Sequence, residues 1–181
     1  RYFLMKKPTG DRQKSVNVYI SNSTGLKSIT VTSEGGDVYL SGITGGIEYN
    51  VSTTESDIFL DGIRTPDIEN VNSYATLTAV KGNITVKSSS MQLIRMTAEE
   101  GNITVDSTNG AVSSDFITYD ISTNEGAINY NGTDYEGELK ITSPDEKSKI
   151  KADVIKGVIR ITDASSGGNG SESGTETEPA E

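Results

Sequence analysis

Apolar and polar residues alternate along much of this chain in short bursts. Ile47-Glu48-Tyr49-Asn50-Val51 and Ile117-Thr118-Tyr119-Asp120-Ile121 are the clearest. A period of two places apolar side chains on one face and polar ones on the other, which marks a half-buried strand. Gly, Asn, Asp or Ser separates the bursts, and the bursts recur. Gly82-Asn83-Ile84-Thr85-Val86 returns as Gly101-Asn102-Ile103-Thr104-Val105. Val38-Tyr39-Leu40-Ser41-Gly42-Ile43 returns as Ile58-Phe59-Leu60-Asp61-Gly62-Ile63. Aligned on turn plus strand, Gly36-Asp37-Val38, Ser56-Asp57-Ile58, Gly82-Asn83-Ile84, Gly101-Asn102-Ile103 and Gly126-Ala127-Ile128 follow at spacings of 20, 26, 19 and 25 residues.

Strands this short cannot bury their own apolar face, and a repeat of this length predicts that successive coils stack to build one core. The expected fold is all-β, a single-domain parallel β-helix over residues 15–163. At that period it holds roughly seven coils, and at about 4.8 Å per coil it forms a rod roughly 34 Å long. An antiparallel β-sandwich is the alternative. Identical residues at identical turns favour the solenoid. The inward positions are then Val38, Leu40, Ile58, Leu60, Ile84, Val86, Ile103, Val105 and Ile128. The corner residues gain a mechanical role: Gly accepts positive φ there, and Asn83 and Asn102 are placed to form an amide ladder. Thr65 to Tyr74 breaks the spacing and reads as a loop or an irregular coil.

Composition agrees. Ile and Val number 30 against 7 Leu and 8 Ala, a β-branched bias that suits pleated strands over helices. The best helix-forming stretch, Pro144 to Asp153, is too short and polar to pack as a helix. From Ser165 onward the chain reads SSGGNGSESGTETEPAE, with Ala180 its only apolar residue, so residues 164–181 are expected to be a disordered acidic tail. It serves either as a solubilising end or as a spacer. Residues 1–14 form an N-terminal segment or cap. The chain starts at Arg1 without an initiator Met, which is expected either if a signal or anchor was removed or if the chain was cut from a longer precursor. The apolar cluster Tyr2 to Met5 reads either as a membrane-proximal stub or as a first strand covering the open end.

The missing residue types exclude chemistry. There is no His, Cys or Trp, so imidazole bases, Cys nucleophiles and thiolate metal sites are ruled out. A formal charge of −10 leaves no basic stripe for a phosphate backbone, and nucleic acid is not an expected partner. Carboxylates are the remaining acid–base candidates. The pairs Glu99-Glu100 and Asp145-Glu146 fall in turns, where neighbouring acids are ordinarily solvated. Nonapeptide calcium repeats are absent, and no cofactor or metal is expected. Six N-x-Ser/Thr sequons, at Asn22, Asn50, Asn83, Asn102, Asn131 and Asn169, are expected from the abundance of these residues in turns and would matter in a source that glycosylates its surface proteins. If Val38 and Leu40 point inward, Tyr39 points out, with Phe59 one coil on. Two aromatics on an outer face form either a contact patch for a partner or sugar, or a plain stacking ladder.

Gly36-Asp-Val-Tyr-Leu-Ser-Gly-Ile-Thr-Gly-Gly-Ile-Glu-Tyr49, followed by the repeated Gly-Asn-Ile-Thr-Val, resembles the adhesin β-strand-repeat proteins of bacteria and the related heads of auto-transporter-like adhesins. The likeness covers about residues 15–163. It implies a surface-exposed β-helical domain with no catalytic residues to carry over. On this reading the protein is a non-enzymatic, extracellular or cell-surface binding and display module. Its partner is a surface protein or glycan, with membrane or cell-wall attachment elsewhere in the precursor. The alternative is a structural β-solenoid that self-associates into filaments or surface layers, since an open β-helix end exposes unpaired strand edges.

Overall fold

The structure, a computed structural model, describes residues 3–4, 25–110 and 112–163. The expectations for the rest of the N-terminal segment and for the tail at 164–181 lie outside the described residues. Thirteen strands form one sheet: β1 (Phe3–Leu4), β2 (Ser28–Ser33), β3 (Val38–Ser41), β4 (Glu48–Thr53), β5 (Ile58–Asp61), β6 (Tyr74–Lys81), β7 (Ile84–Lys87), β8 (Leu93–Glu100), β9 (Ile103–Asp106), β10 (Ile117–Tyr130), β11 (Thr133–Tyr135), β12 (Glu138–Ile141) and β13 (Ser148–Thr162).

The fold is all-β and solenoid-like, with parallel strands in two stacks. β2, β4, β6 and β8 make the first stack, and β3, β5, β7 and β9 the second. A corner joins each strand of the first stack to its partner in the second. A third side closes each coil with isolated bridges only, Thr44 to Arg64 and Arg64 to Ser90. β1 adds to the outer edge of β2, pairing Phe3 with Val31.

β13 departs from a simple winding. This single strand turns the corner, pairing β8 with its first half and β9 with its second. β10 lies parallel along the far side of β13 from Ile117 to Tyr130. The chain therefore skips one layer after β9, lays down β10, and later fills the gap with β13. Among the described residues this gives six layers, four of two strands and two of a single continuous strand (β13 and β10), against the seven or so coils expected. The repeat at Gly126-Ala127-Ile128 does not rest on Gly101-Asn102-Ile103 as its sequence order suggested, because Val158 and Ile159 come between. The stretch Pro144 to Asp153 contains no helix and runs into β13 instead. β12 and β11 pair antiparallel with β10 and close that end.

Parallel in-register pairing sets like on like through the layers. Val38, Ile58, Ile84, Ile103, Ile159 and Ile128 form one inward column. All are buried, as are Leu60, Val86 and Val105. Leu40, on the outermost strand of its stack, is only half-buried. In the first stack Tyr49 and Tyr119 enter the core from β4 and β10, with Ala75, Ile94 and Ile150 between them in register. Pro66–Asn70 is a turn, as the broken spacing suggested, and Val71 donates its N–H to the Asp67 carbonyl at 2.8 Å.

The corner is where the layers approach most closely. Gly82, Gly101, Gly157 and Gly126 lie in adjacent layers there, each beneath a neighbouring backbone carbonyl. A Cβ on Gly101 would overlap the Gly82 carbonyl oxygen, and Gly101 and Gly82 also hold φ of +156° and +155°. Gly101→Ala is expected to cost about 3 kcal/mol or more in urea unfolding. Gly25→Ala, in open space, should stay within about 0.5 kcal/mol of the parent. Equal midpoints for the two variants would show that the corner can yield.

Burial pushes the Tyr49 phenol up to about 12. The unfolded chain loses that proton near the ordinary value of about 10, so the stabilisation is full below pH 10 and is lost as pH climbs towards 12. Tyr119 and Tyr130 are raised in the same direction by burial, so removing Tyr49 alone takes away part of the effect. Among the described residues the Tyr49 hydroxyl has no hydrogen-bond partner. Tyr49→Phe should therefore melt no lower than the parent at pH 7 and decline less steeply between about pH 10 and 12, from the titration of the unfolded phenol to that of the folded one. An unchanged alkaline profile would rule out this account.

Candidate functional site

The corner following each first-stack strand carries a continuous polar ladder. Asp37 Oδ1 accepts the Asp57 backbone N–H at 3.0 Å. Asp57 Oδ1 accepts the Asn83 N–H at 2.7 Å and the Asn83 side-chain amide at 3.2 Å. Asn83 Oδ1 accepts the same two groups from Asn102, at 3.0 and 3.1 Å. Asn102 Oδ1 then accepts the Val158 N–H at 2.9 Å. Each side chain thus satisfies a corner N–H of the next layer. The ladder extends beyond the Asn83–Asn102 pair read from the sequence: Asp37 and Asp57 open it, and Val158, with no polar side chain, ends it. The aligned Gly36-Asp37 and Ser56-Asp57 turns already carried that signal.

Two residues beyond the ladder, the second stack presents Tyr39 and Phe59. Their rings stack with centroids 4.5 Å apart and planes 2° from parallel. This is the spacing of adjacent strands, about 4.8 Å, because both side chains leave in-register positions of β3 and β5. Tyr39 is 67% exposed. Phe59 is half-buried, between Tyr39 and the register position of Thr85. The rings face each other, so the patch turns their edges and much of Tyr39 to solvent. Their hydrogen-bearing edges are electropositive and suit oxygen-rich partners.

The carboxylate pairs lie on open surface. Glu99 and Glu100 are exposed at the end of β8, with Glu100 in register between Lys81 and Lys156. Asp145 and Glu146 are exposed in the turn before β13, with Glu146 4.0 Å from Lys149. An open groove of about 410 Å³ lies between the Pro66–Glu69 turn and the segment before β10, lined in part by Ile68, Val112 and Phe116. Lys147 spans it, paired to Glu69 at 2.6 Å with its ammonium 4.7 Å from the Phe116 ring centre. Neither carboxylate pair lines this groove. Among the described residues no group of three or more acidic side chains could hold a metal ion.

Asp163 is the most enclosed carboxylate described, 8% exposed at the end of β13. Tyr130 donates its hydroxyl to Asp163 Oδ2 at 2.8 Å, and Asn131 Oδ1 accepts the Asp163 N–H at 2.9 Å. This contact fixes the end of the inserted strand against β10. The sequence carried no sign of it, because its members sit more than thirty residues apart.

A corner ladder, a stacked aromatic pair and two parallel strand stacks define a β-solenoid-like repeat domain. The Toastrack DUF4097 family model matches residues 1–168, and the chain belongs to that family. Neither a curated protein nor a solved structure matches the chain. The likeness to adhesin repeats therefore holds as a β-solenoid-like repeat.

Asn102→Ala should leave the Val158 N–H part-buried and unpaired, costing about 1–3 kcal/mol in denaturant unfolding. Asn102→Asp keeps that acceptor for the Val158 N–H but turns the amide donor into a carboxylate oxygen facing Asn83 Oδ1. It should cost less than Asn102→Ala at neutral pH only if the Val158 acceptor outweighs that contact. The reverse ranking would show that the amide donor matters more than the acceptor.

Proposed function

We propose that this domain is a non-enzymatic, adhesin-like binding and display module, working at the cell surface or outside the cell through a lateral face. The observation that carries this reading is the exposed Tyr39–Phe59 stack on a rigid parallel sheet, a preordered patch that needs little conformational entropy to engage a partner. Support also comes from the placement of the carboxylate pairs on open surface outside the groove. The partner is a surface protein or glycan. No helix among the described residues is long and apolar enough to cross a membrane.

The rival reading, self-assembly of coils end to end, meets an obstacle beyond β10. There β11 and β12 run antiparallel across the stack, and the exposed Asp134, Glu136 and Glu138 ring the closing edge. Charged, antiparallel closing strands oppose the addition of another parallel layer.

The test is a binding screen of the parent and the Tyr39→Ser/Phe59→Ser variant against cell-wall glycans, matrix proteins and the protein itself. The variant should keep its circular dichroism and lose about tenfold in affinity. Unchanged binding would remove the aromatic patch from the reading, and turnover of any glycan would overturn the non-enzymatic part. Negative-stain images should show single short rods, and fibres would favour the rival.

A further inference from the structure

The sequence holds three Asn-Gly pairs, at Asn109, Asn131 and Asn169, of which the last lies outside the described residues. In such a pair the following backbone nitrogen can attack the side-chain amide, because glycine has no Cβ to obstruct the approach. Ring closure makes a geometric demand. The asparagine side chain must swing over the next nitrogen, so the residue has to leave the turn it occupies. The hydrogen bonds that oppose this departure decide which pair reacts. The two described pairs differ widely here.

Asn131 and Gly132 form the tip of the hairpin from β10 to β11, with φ of +49° and +85°. Positive φ at both central residues is the type I′ turn that suits a two-residue hairpin. Asn131 donates its N–H to the Ile161 carbonyl at 2.9 Å, and its Oδ1 accepts the Asp163 N–H at 2.9 Å. Gly132 donates its N–H to Asn129 Oδ1 at 3.2 Å. The Asn131 amide carbon therefore cannot reach the Gly132 nitrogen without releasing the end of β13. Asn109 and Gly110 sit instead in the turn after β9, where Asn109 is exposed. One backbone bond closes this turn, from the Gly110 N–H to the Ser107 carbonyl at 3.1 Å. The Asn109 side-chain amide donates to Thr108 Oγ1 at 3.4 Å, longer than an ordinary hydrogen bond.

We propose that Asn109 is a site of spontaneous deamidation in the folded domain, and that the hairpin shields Asn131 from the same reaction. The Gly110 nitrogen loses its proton to solvent hydroxide and bonds to Cγ of Asn109. The bond from Cγ to Nδ2 breaks, and Nδ2 leaves as ammonia, taking a proton from water and regenerating hydroxide. The cyclic imide then takes up water at either carbonyl and opens to aspartate or isoaspartate at position 109. Solvent supplies every co-reactant. The product places a new negative charge three residues from Asp106. Its isoaspartyl form also lengthens the backbone between β9 and the groove residues Val112 and Phe116. The change falls in an exposed turn outside the apolar core, so the folded state survives it. The inference is independent of any binding role.

The test ages the full chain at mildly alkaline pH and follows each asparagine by peptide mapping, where deamidation adds about one dalton. The chain unfolded in guanidinium is the reference, because turn geometry is lost there at every Asn-Gly pair. In the native protein Asn109 should react within about threefold of its unfolded rate, and Asn131 at least about tenfold more slowly than its own. Gly110→Ala, whose Cβ would lie 3.3 Å from the Ser107 oxygen, should slow the reaction at position 109 about tenfold. Asn109→Gln should abolish the signal there. Thermal melts of aged and fresh protein should coincide. Asn131 reacting as fast as Asn109 would show that the reaction runs through global unfolding, and would overturn the proposal. So would a native Asn109 that reacts about tenfold or more below its unfolded rate.

Discussion

Parallel stacking in register, one layer every strand spacing, is the constraint from which the rest of this molecule follows. Once backbones lie that close, each side chain meets its counterpart in the next layer instead of an unrelated neighbour. Inside, that produces the continuous Ile and Val column from Val38 to Ile128. At the corner it leaves no room for a Cβ between carbonyl and backbone, and four adjacent layers answer with glycine. Outside, it turns a repeated residue into a row, so that Tyr39 and Phe59 stack without any loop to position them. Core, corner and surface obey one spacing.

The three sides of a coil meet this constraint in different ways. Two are true sheets, with ladders of backbone hydrogen bonds. The third has isolated bridges only, and buried hydroxyls take up the remaining polar groups. Thr65 donates to the Ser73 hydroxyl at 2.6 Å, the Gln92 N–H reaches the same oxygen at 3.2 Å, and Ser148 donates to the Met91 carbonyl at 2.6 Å. A short side chain with one rotatable hydroxyl suits irregular backbone, where donors and acceptors do not recur at fixed intervals. This is one use for the abundance of Ser and Thr.

Much of this was legible before the structure. β3, β5, β7 and β9 follow from spacing and alternation alone, because each layer repeats its predecessor and the pattern is local. The aromatic pair followed for the same reason, twenty residues apart on one repeat. β13 did not. Its inward Ile150, Ala152 and Val154 alternate with Lys149, Lys151 and Asp153, and the charges mask a weak apolar signal. Its register partners on β8 lie fifty-six residues back, and no local pattern encodes an insertion. The expected amide ladder was short for another reason: Asp and Asn perform the same acceptor role at the corner, yet only the identical Asn residues stood out.

The place of β13 also bears on the order in which the molecule can be completed. During synthesis β2 to β9 emerge in the order in which they stack, so each layer finds its template already made. β10 emerges next with no neighbour to join, because the strand that separates it from β8 and β9 has yet to be made. It can hold only its own hairpin partners, β11 and β12, until Ser148–Thr162 arrives and pairs on both sides at once. Closure is thus a single late event that seals the apolar ends of two preassembled pieces. Opening reverses it at the cost of two ladders together, since β13 pairs β10 on one side and β8 and β9 on the other.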